Sequence, residues 1–482
     1  MILRICTRKE KEDMKKPHSL NGTLSSALFN SLAVLVTLLA MFTTSKVYAA
    51  QQSLSFEQAI KIAQQNDPWL DGSRHRQQSL ALLSYAANTQ PDPKFSVAFA
   101  NLPTDGFDFS QEGMTQFKVG VSQMFARGDS LNIKNQQLQL QSQQQPLQRQ
   151  DRINKVAVTV GSLWLDLYRV QQSIILIEKN RGLFEQLSEV AEASYGSALG
   201  KTRQQDIVRA QLELTRLEDK LNQLQQQGDN YQGLLGRWLT SFSVKSQQNQ
   251  SDMGLSSITL PLNVNKQLPN VELVNHASVN NEQWLTEEKL ASLLSLHPSV
   301  KSIDKKIAAT KTGIELAEQK YQPQWGVNAS YGYRGDDAMG NTRADLFSVG
   351  VIFDVPLFTE NRQDNEVKSA ISQTEAIKTE KLLLLRKLMS AFISAKGRLV
   401  RLTERQALYQ NKLLPQIHDQ AEVSLTAYTN DDGDFAEVVR ARIAELNAEI
   451  DYLAINVQQQ KIILEINYLF VGSVINQQTG EK

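Results

Sequence analysis

The chain of 482 residues holds 51 Lys and Arg against 51 Asp and Glu. The first fifty residues take seven of the basic and three of the acidic side chains, leaving 44 against 48, a balance that excludes a nucleic-acid footprint. The only cysteine, Cys6, precedes the N-terminal apolar run, so disulfides, thiolate metal sites, a cysteine nucleophile and lipid attachment at a cysteine are excluded from everything after it.

Lys15-Lys16, an apolar run from Leu24 to Phe42 and the small residues around Val47-Tyr48-Ala49 have the order of a secretory signal peptide, residues 1–49, cleaved after Ala49. MKKPHSL from Met14 would serve as an ordinary start. The other reading is a single N-terminal membrane helix.

The rest of the chain repeats itself at an offset of about 230 residues. Ser55-Phe56-Glu57-Gln58 has capping-box spacing and opens a short amphipathic helix interrupted at Asn66-Asp67-Pro68, and Thr286-Glu287-Glu288 opens another interrupted at His297-Pro298. A first repeat over 50–240 is expected to carry strands at about 94–101 and 115–125 and long helices at about 130–194 and 202–235. A second over 284–472 carries strands at about 325–333 and 346–355 and long helices at about 359–427 and 435–470. Residues 241–283, polar and poor in pattern, read as the linker, and 473–482 as a loose tail.

The strands alternate. Phe347, Val349, Val351 and Phe353 share one side and Ser348, Gly350 and Asp354 the other, broken only by Ile352. Apolar and aromatic residues on one face with small or polar ones opposite fit either a half-buried soluble sheet or an outer-membrane barrel. Four strands cannot close a barrel alone, so the second reading needs several copies. Leu384, Leu388, Phe392, Ala395, Leu399 and Leu402 form a coiled-coil-like seam, and a run of some seventy residues extends on the order of 100 Å. Pro146 and Pro415 are expected to kink the long helices.

The sequence has no catalytic constellation, phosphate loop or paired metal-spaced histidines, so an enzyme is not expected and no cofactor is implied. His75, His276, His297 and His418 are scattered and read as surface or capping residues, and Met114 and Met124 as packing. Asp431, Asp432 and Asp434 cluster at the second helical turn, where they are either ordinary turn chemistry or a carboxylate group favouring cations and partner contacts.

The paired openings SFEQAIKIAQQNDP and LTEEKLASLLSLHPSV, the joins GVSQMFARGDSL and GVIFDVPLFTENR, and the segments DIVRAQLEL and DFAEVVRARIAEL resemble the TolC-like outer-membrane efflux protein family over essentially all of the mature sequence. PDPKFSVAFANLP followed by GVSQMFARGD is most similar to its heavy-metal branch, the copper/silver and cobalt-zinc-cadmium type. The resemblance implies a mainly α fold with a β-barrel part: a homotrimer whose twelve-stranded barrel sits in outer-membrane lipid and continues into a periplasmic α-helical barrel. The tips of that tunnel would meet a periplasmic adaptor protein and an inner-membrane proton-driven pump of the resistance-nodulation-division type. In that family, an inner-helix tyrosine that helps lock the closed state corresponds to Tyr428, and the first ring acid to Glu437. The second ring acid falls on Arg440, a departure that would give Glu437–Arg440 pairs instead of two carboxylate rings. Tyr195, Asp206 and Arg209 are the first-repeat counterparts. Passage of heavy-metal cations is the implied work, with drug efflux or type I protein secretion by the same architecture, or a secreted structural coiled coil, as the other readings.

Overall fold

The computed structural model describes residues 53–196, 203–247, 250–256, 261–274, 286–430 and 432–473. The expected signal peptide, Cys6, His276, Asp431 and all but the first residue of the expected tail lie outside them.

Two short helices, α1 (Phe56–Gln65) and α2 (Pro68–Ala87), lead into strand β1 (Lys94–Ala100). The α1 start carries the expected capping box, with Ser55 and Gln58 each bonding the other's backbone N–H. Strand β2 (Gln116–Met124) then feeds α3 (Ser130–Gly196), 67 residues and therefore about 100 Å long, and α4 (Gln204–Leu239) returns. The second repeat runs α5 (Glu287–Ser295), α6 (Pro298–Glu318), a short 3₁₀ turn, β5 (Gln324–Tyr333), β6 (Leu346–Asp354), α7 (Gln363–Leu408), α8 (Leu414–Thr429) and α9 (Phe435–Leu469).

The two proline expectations come out differently. Pro146 lies inside the continuous α3. Ahead of Pro415, however, Tyr409–Leu413 widens into a π turn in which Leu414 N–H bonds to Tyr409 O, so the helix changes register one step before a residue that cannot donate.

The segment between the repeats differs from the patternless linker expected of it. Ser241–Gln247 (β3) and Gln250–Ser256 (β4) pair antiparallel, a hairpin whose alternation in SFSVKSQ is short and largely polar. Beyond it, residues 261–274 form a strap. Gln171 Nε2 donates to Leu262 O at 2.8 Å, Val271 N–H donates to Gln460 Oε1 at 2.8 Å, and Leu262 and Val264 are buried among Trp164, Leu165 and Tyr168. Pairing of backbone groups with helix glutamines is invisible to hydrophobic periodicity.

Three apolar clusters hold the helices. One joins α1, α3 and α4; a second joins α5, α6, α7 and α9; a third joins the far ends of α3, α4 and α9 through Phe184, Leu187, Ala191, Ala210, Phe435 and Val439. The seam read from Leu384 to Leu402 is in the second, with Leu388, Phe392, Ala395 and Leu399 buried and the two ends partly so. The repeats are not packed alike. α6 and α9 each pack against both long helices, α3 and α7, whereas α2 and α4 pack chiefly against α3. Among the described residues no helix is long and apolar enough to cross a membrane.

Candidate functional site

The four strands form one antiparallel sheet in the order β1-β2-β5-β6, each edge free among the described residues. Its register sorts the side chains cleanly. Phe95, Val121, Ala329 and Val349 make one cross-strand row, Val97, Val119, Tyr331 and Phe347 the next, and Phe99, Phe117 and Tyr333 a third. These rows lie on one face, and most of their large side chains are exposed. Aromatic neighbours touch along it, Phe99–Phe117 at 5.2 Å and Trp325–Phe353 at 4.9 Å between ring centroids. The opposite face carries rows such as Ser96, Gly120, Ser330 and Ser348. A sheet that points its aromatics outward and its small polar residues inward has the polarity of a barrel wall in lipid.

The joins between strands and long helices are tied across the repeats. Arg127 makes an ion pair with Asp354 and donates from Nη1 to Gln322 O at 3.0 Å. Gly128 has φ +44°, and a Cβ there would fall 2.2 Å from Gln319 Oε1, so the turn between Arg127 and α3 requires glycine. At the other end of the sheet, Arg334 Nη1 and Arg343 Nη1 of the second hairpin loop donate to Gly113 O and Glu112 O of the first, each at 3.1 Å.

At the far end of the helices, the turn after α8 is built by the backbone. Asn430 N–H donates to Thr426 O and Asp432 N–H to Ala427 O. A Cβ at Gly433 would meet Tyr428 N at 2.6 Å, which is why the chain needs glycine there. Asp434 caps α9, its Oδ1 accepting from Ala436 N–H at 3.2 Å, and Asp432 is exposed. Tyr428 packs edge-on against buried Phe435 at 5.6 Å. Glu437 and Arg440 form an ion pair at 3.0 Å within α9. At the first tip, Tyr195 is exposed, Asp206 is buried and accepts from Arg203 N–H at 3.0 Å as a cap, and Arg209 is exposed. Of the expected tip residues, then, Glu437 meets Arg440, whereas Asp206 and Asp434 serve as helix caps. No hydrogen bond or ion pair among the described residues joins Tyr195, Asp206 or Arg209 to the second tip.

A network missed in the sequence ties α8 to α9. Arg442, largely buried, bonds Glu422 of α8 at 2.7 Å and Glu445 of its own helix at 2.8 Å, while His418 of α8 meets Glu445 at 2.6 Å. The Glu445 carboxylate raises His418 above its ordinary range, and the bond from Arg442 lowers Glu422. Burial, with Glu445 nearby, raises Glu449 one turn further along. The i,i+3 spacing of Arg442 and Glu445 was visible, but their α8 partners lie 20 and more residues upstream.

No family model matches the chain, and no curated protein matches it by sequence. Among solved structures it is similar to CusC, studied for folding and transmembrane channel formation, with 12% identity over 87% of this chain and 92% of that one and a TM-score of 0.65. It is similar to the Campylobacter jejuni CmeC outer membrane channel, with 11% identity over 89% of each chain and a TM-score of 0.65. It is also similar to the open state of the Neisseria gonorrhoeae MtrE outer membrane channel, with 12% identity over 86% and 88% and a TM-score of 0.63. At such identity the likeness is one of fold, and the fold of this chain is that of the TolC-like outer-membrane channels, a duplicated strand hairpin and long helical hairpin.

Proposed function

We propose that the chain is the outer-membrane exit duct of a tripartite, proton-driven efflux system. The observation that carries this reading is the four-stranded sheet, which exposes a continuous apolar face and, among the described residues, leaves both edges free. An open, apolar-faced edge in water is an aggregation hazard, and closure into a barrel removes it. Three copies side by side would supply twelve strands, β6 of one pairing with β1 of the next.

The helical packing supports the same assembly. Within one chain α6 and α9 fill the space between α3 and α7, while their counterparts α2 and α4 pack chiefly against α3. A neighbouring copy would offer its α7 to those open sides, a head-to-tail contact that closes by rotation. Exposed Leu82, Leu83 and Tyr85 on α2, with Ile371, Leu382 and Leu383 on α7, are the residues such a contact would cover. The tips at Tyr428 to Arg440 would then meet the periplasmic adaptor and, with it, the inner-membrane pump, and the barrel would sit in the outer membrane with the helices in the periplasm.

Heavy-metal cations are the cargo suggested by the strand and join motifs. A second reading, drugs or secreted polypeptide, is favoured by the Glu437–Arg440 pair, which offsets the ring carboxylate a cation entrance would use. A strain lacking the gene, tested on copper, silver, zinc, cobalt and cadmium beside dyes and antibiotics, separates them. Sensitivity to metals alone, restored by the wild-type gene, supports the metal reading; sensitivity to drugs alone moves the cargo. Absence of a heat-modifiable trimer from the outer-membrane fraction sinks the duct itself.

A further inference from the structure

The exposed apolar face of the sheet has no charged residue within the four strands, and all of their charges are on the opposite face: Lys94, Lys118 and Asp354. These are not equivalent. Asp354 is neutralised by its ion pair with Arg127. Lys94 and Lys118 are exposed, and neither is in an ion pair among the described residues. Their rows leave them room. Lys118 is flanked across the sheet by Ala98 and Gly332, and Lys94 lies opposite Ser122 in a row continued by Asn328 and Gly350. The second repeat contributes no lysine or arginine to its strands, so the cationic character comes from the first hairpin alone.

This inference rests on the closed trimeric barrel proposed above, in which the polar face becomes the lumen. Three copies then place two rings of three ammonium groups in it, near the two ends of the wall. Lys94 is level with Ser122, four residues from Lys118, or about 13 Å along the strand. With a Debye length of about 10 Å at 0.1 M salt, two rings so spaced act as successive sites, each with its own field. At the outer end Asp105 bonds Gln111, Asp108 bonds Ser110, Asp337 bonds Asn341, and Asp345 bonds Tyr331 and the Arg334 backbone, which holds these carboxylates in the loops, beyond the strands that carry the two lysines.

We propose that Lys94 and Lys118 make the barrel lumen an anion-preferring segment and so determine which solutes leave it readily. An anionic solute meets the rings as a site of raised local concentration, and a free cation meets them as a barrier. At the tip Glu437 and Arg440 cancel within each chain and exposed Asp432 adds negative charge, so no cationic ring forms there.

The test uses the purified wild-type trimer in planar bilayers, with a KCl gradient for the reversal potential and phytate, the polyanion inositol hexakisphosphate, added on the barrel side. The wild type should be blocked by phytate. Lys118→Glu and Lys94→Glu should each shift the reversal potential toward cation preference and weaken the block by about tenfold or more, given that charged clefts raise local counter-ion concentration by roughly 10 to 10³. Lys118→Arg should keep the block. Where a charge reversal prevents trimer assembly, Lys118→Gln and Lys94→Gln carry the comparison. Variants that conduct with unchanged reversal potential and unchanged phytate block overturn the proposal. Absence of a heat-modifiable trimer from the outer-membrane fraction overturns the duct reading instead, which keeps the two failures apart.

Discussion

Phe392 and Val349 lie about forty residues apart in the second repeat, yet Phe392 is 3% exposed and Val349 is 69% exposed. Phe392 belongs to a seam that meets α6 and α9 and packs edge-on against Phe470 at 5.1 Å. Val349 stands in a row of equally apolar side chains with no layer over it among the described residues. The helices solve burial inside the chain, whereas the sheet leaves it to whatever surrounds the sheet. The period of the apolar pattern changes from 3.6 to 2 where helix gives way to strand, and there the apolar face changes from covered to uncovered within the chain.

Mutations on the two sides should respond to different conditions. Phe392→Ala should cost about 3–5 kcal/mol by removing the ring and leaving a cavity, lowering the unfolding midpoint in any detergent or lipid. Val349→Arg should cost about 2–4 kcal/mol if the residue faces the lipid midplane, seen as loss of the heat-resistant trimer from the membrane fraction. If Val349→Arg assembles as well as Val349→Ser, the face meets water and the contrast with Phe392 collapses.

Much of this division was legible in the sequence. The strands announced themselves because Phe95, Val97 and Phe99 alternate with Ser96 and Ala98, and the helical seam because Leu388, Phe392, Ala395 and Leu399 keep a fixed step. The candidate tip was partly legible: Glu437 and Arg440 are three residues apart on one helix, so their pairing followed from local geometry. What could not be read depended on long-range partners. Arg442 reaches Glu422 across a helical turn, Gln171 and Gln460 hold the strap by its backbone, and the π turn at Tyr409–Leu413 leaves the apolar pattern intact. Asp206 and Asp434 looked like tip charges, but their carboxylates accept backbone N–H groups that a helix start leaves unpaired.

Two histidines extend the comparison to pH. His297 is fully buried at the start of α6, its Nδ1 accepting from Ser299 N–H at 3.2 Å, its Nε2 without a hydrogen-bond partner among the described residues, and its ring edge-on to Tyr468 at 4.8 Å. Burial holds it below its ordinary 6.5, so the folded state keeps it neutral while the unfolded chain takes up a proton. Its contribution is therefore complete above pH 6.5 and is lost as the pH falls below that value toward the folded-state one. His297→Asn, which keeps a capping acceptor, should flatten the acid side of a denaturation midpoint measured from pH 7.5 to 5. His418, raised by Glu445, works in the opposite direction, and His418→Gln should steepen the same loss. An acid-side slope left unchanged by His297→Asn would remove the buried-neutral account of His297.

The smallest effect belongs to the tip, where burial no longer separates the regions. Arg440 and Glu437 are 66% and 45% exposed in their side chains, and an exposed i,i+3 pair contributes about 0.2–1 kcal/mol, screened by salt. Arg440→Ala should thus leave the unfolding midpoint almost unmoved. Its consequence is electrostatic, because each chain then presents an unpaired Glu437 carboxylate beside exposed Asp432. If the tips converge around one entrance, block of single-channel current by a multivalent cation added on the tip side should strengthen in Arg440→Ala and return to wild type in Glu437→Gln/Arg440→Ala. Unchanged block in Arg440→Ala would mean that these side chains face away from the conduction path. The same residues can be inert in stability and decisive in passage because a fold is sensitive to what it buries, whereas a pore is sensitive to what it leaves exposed.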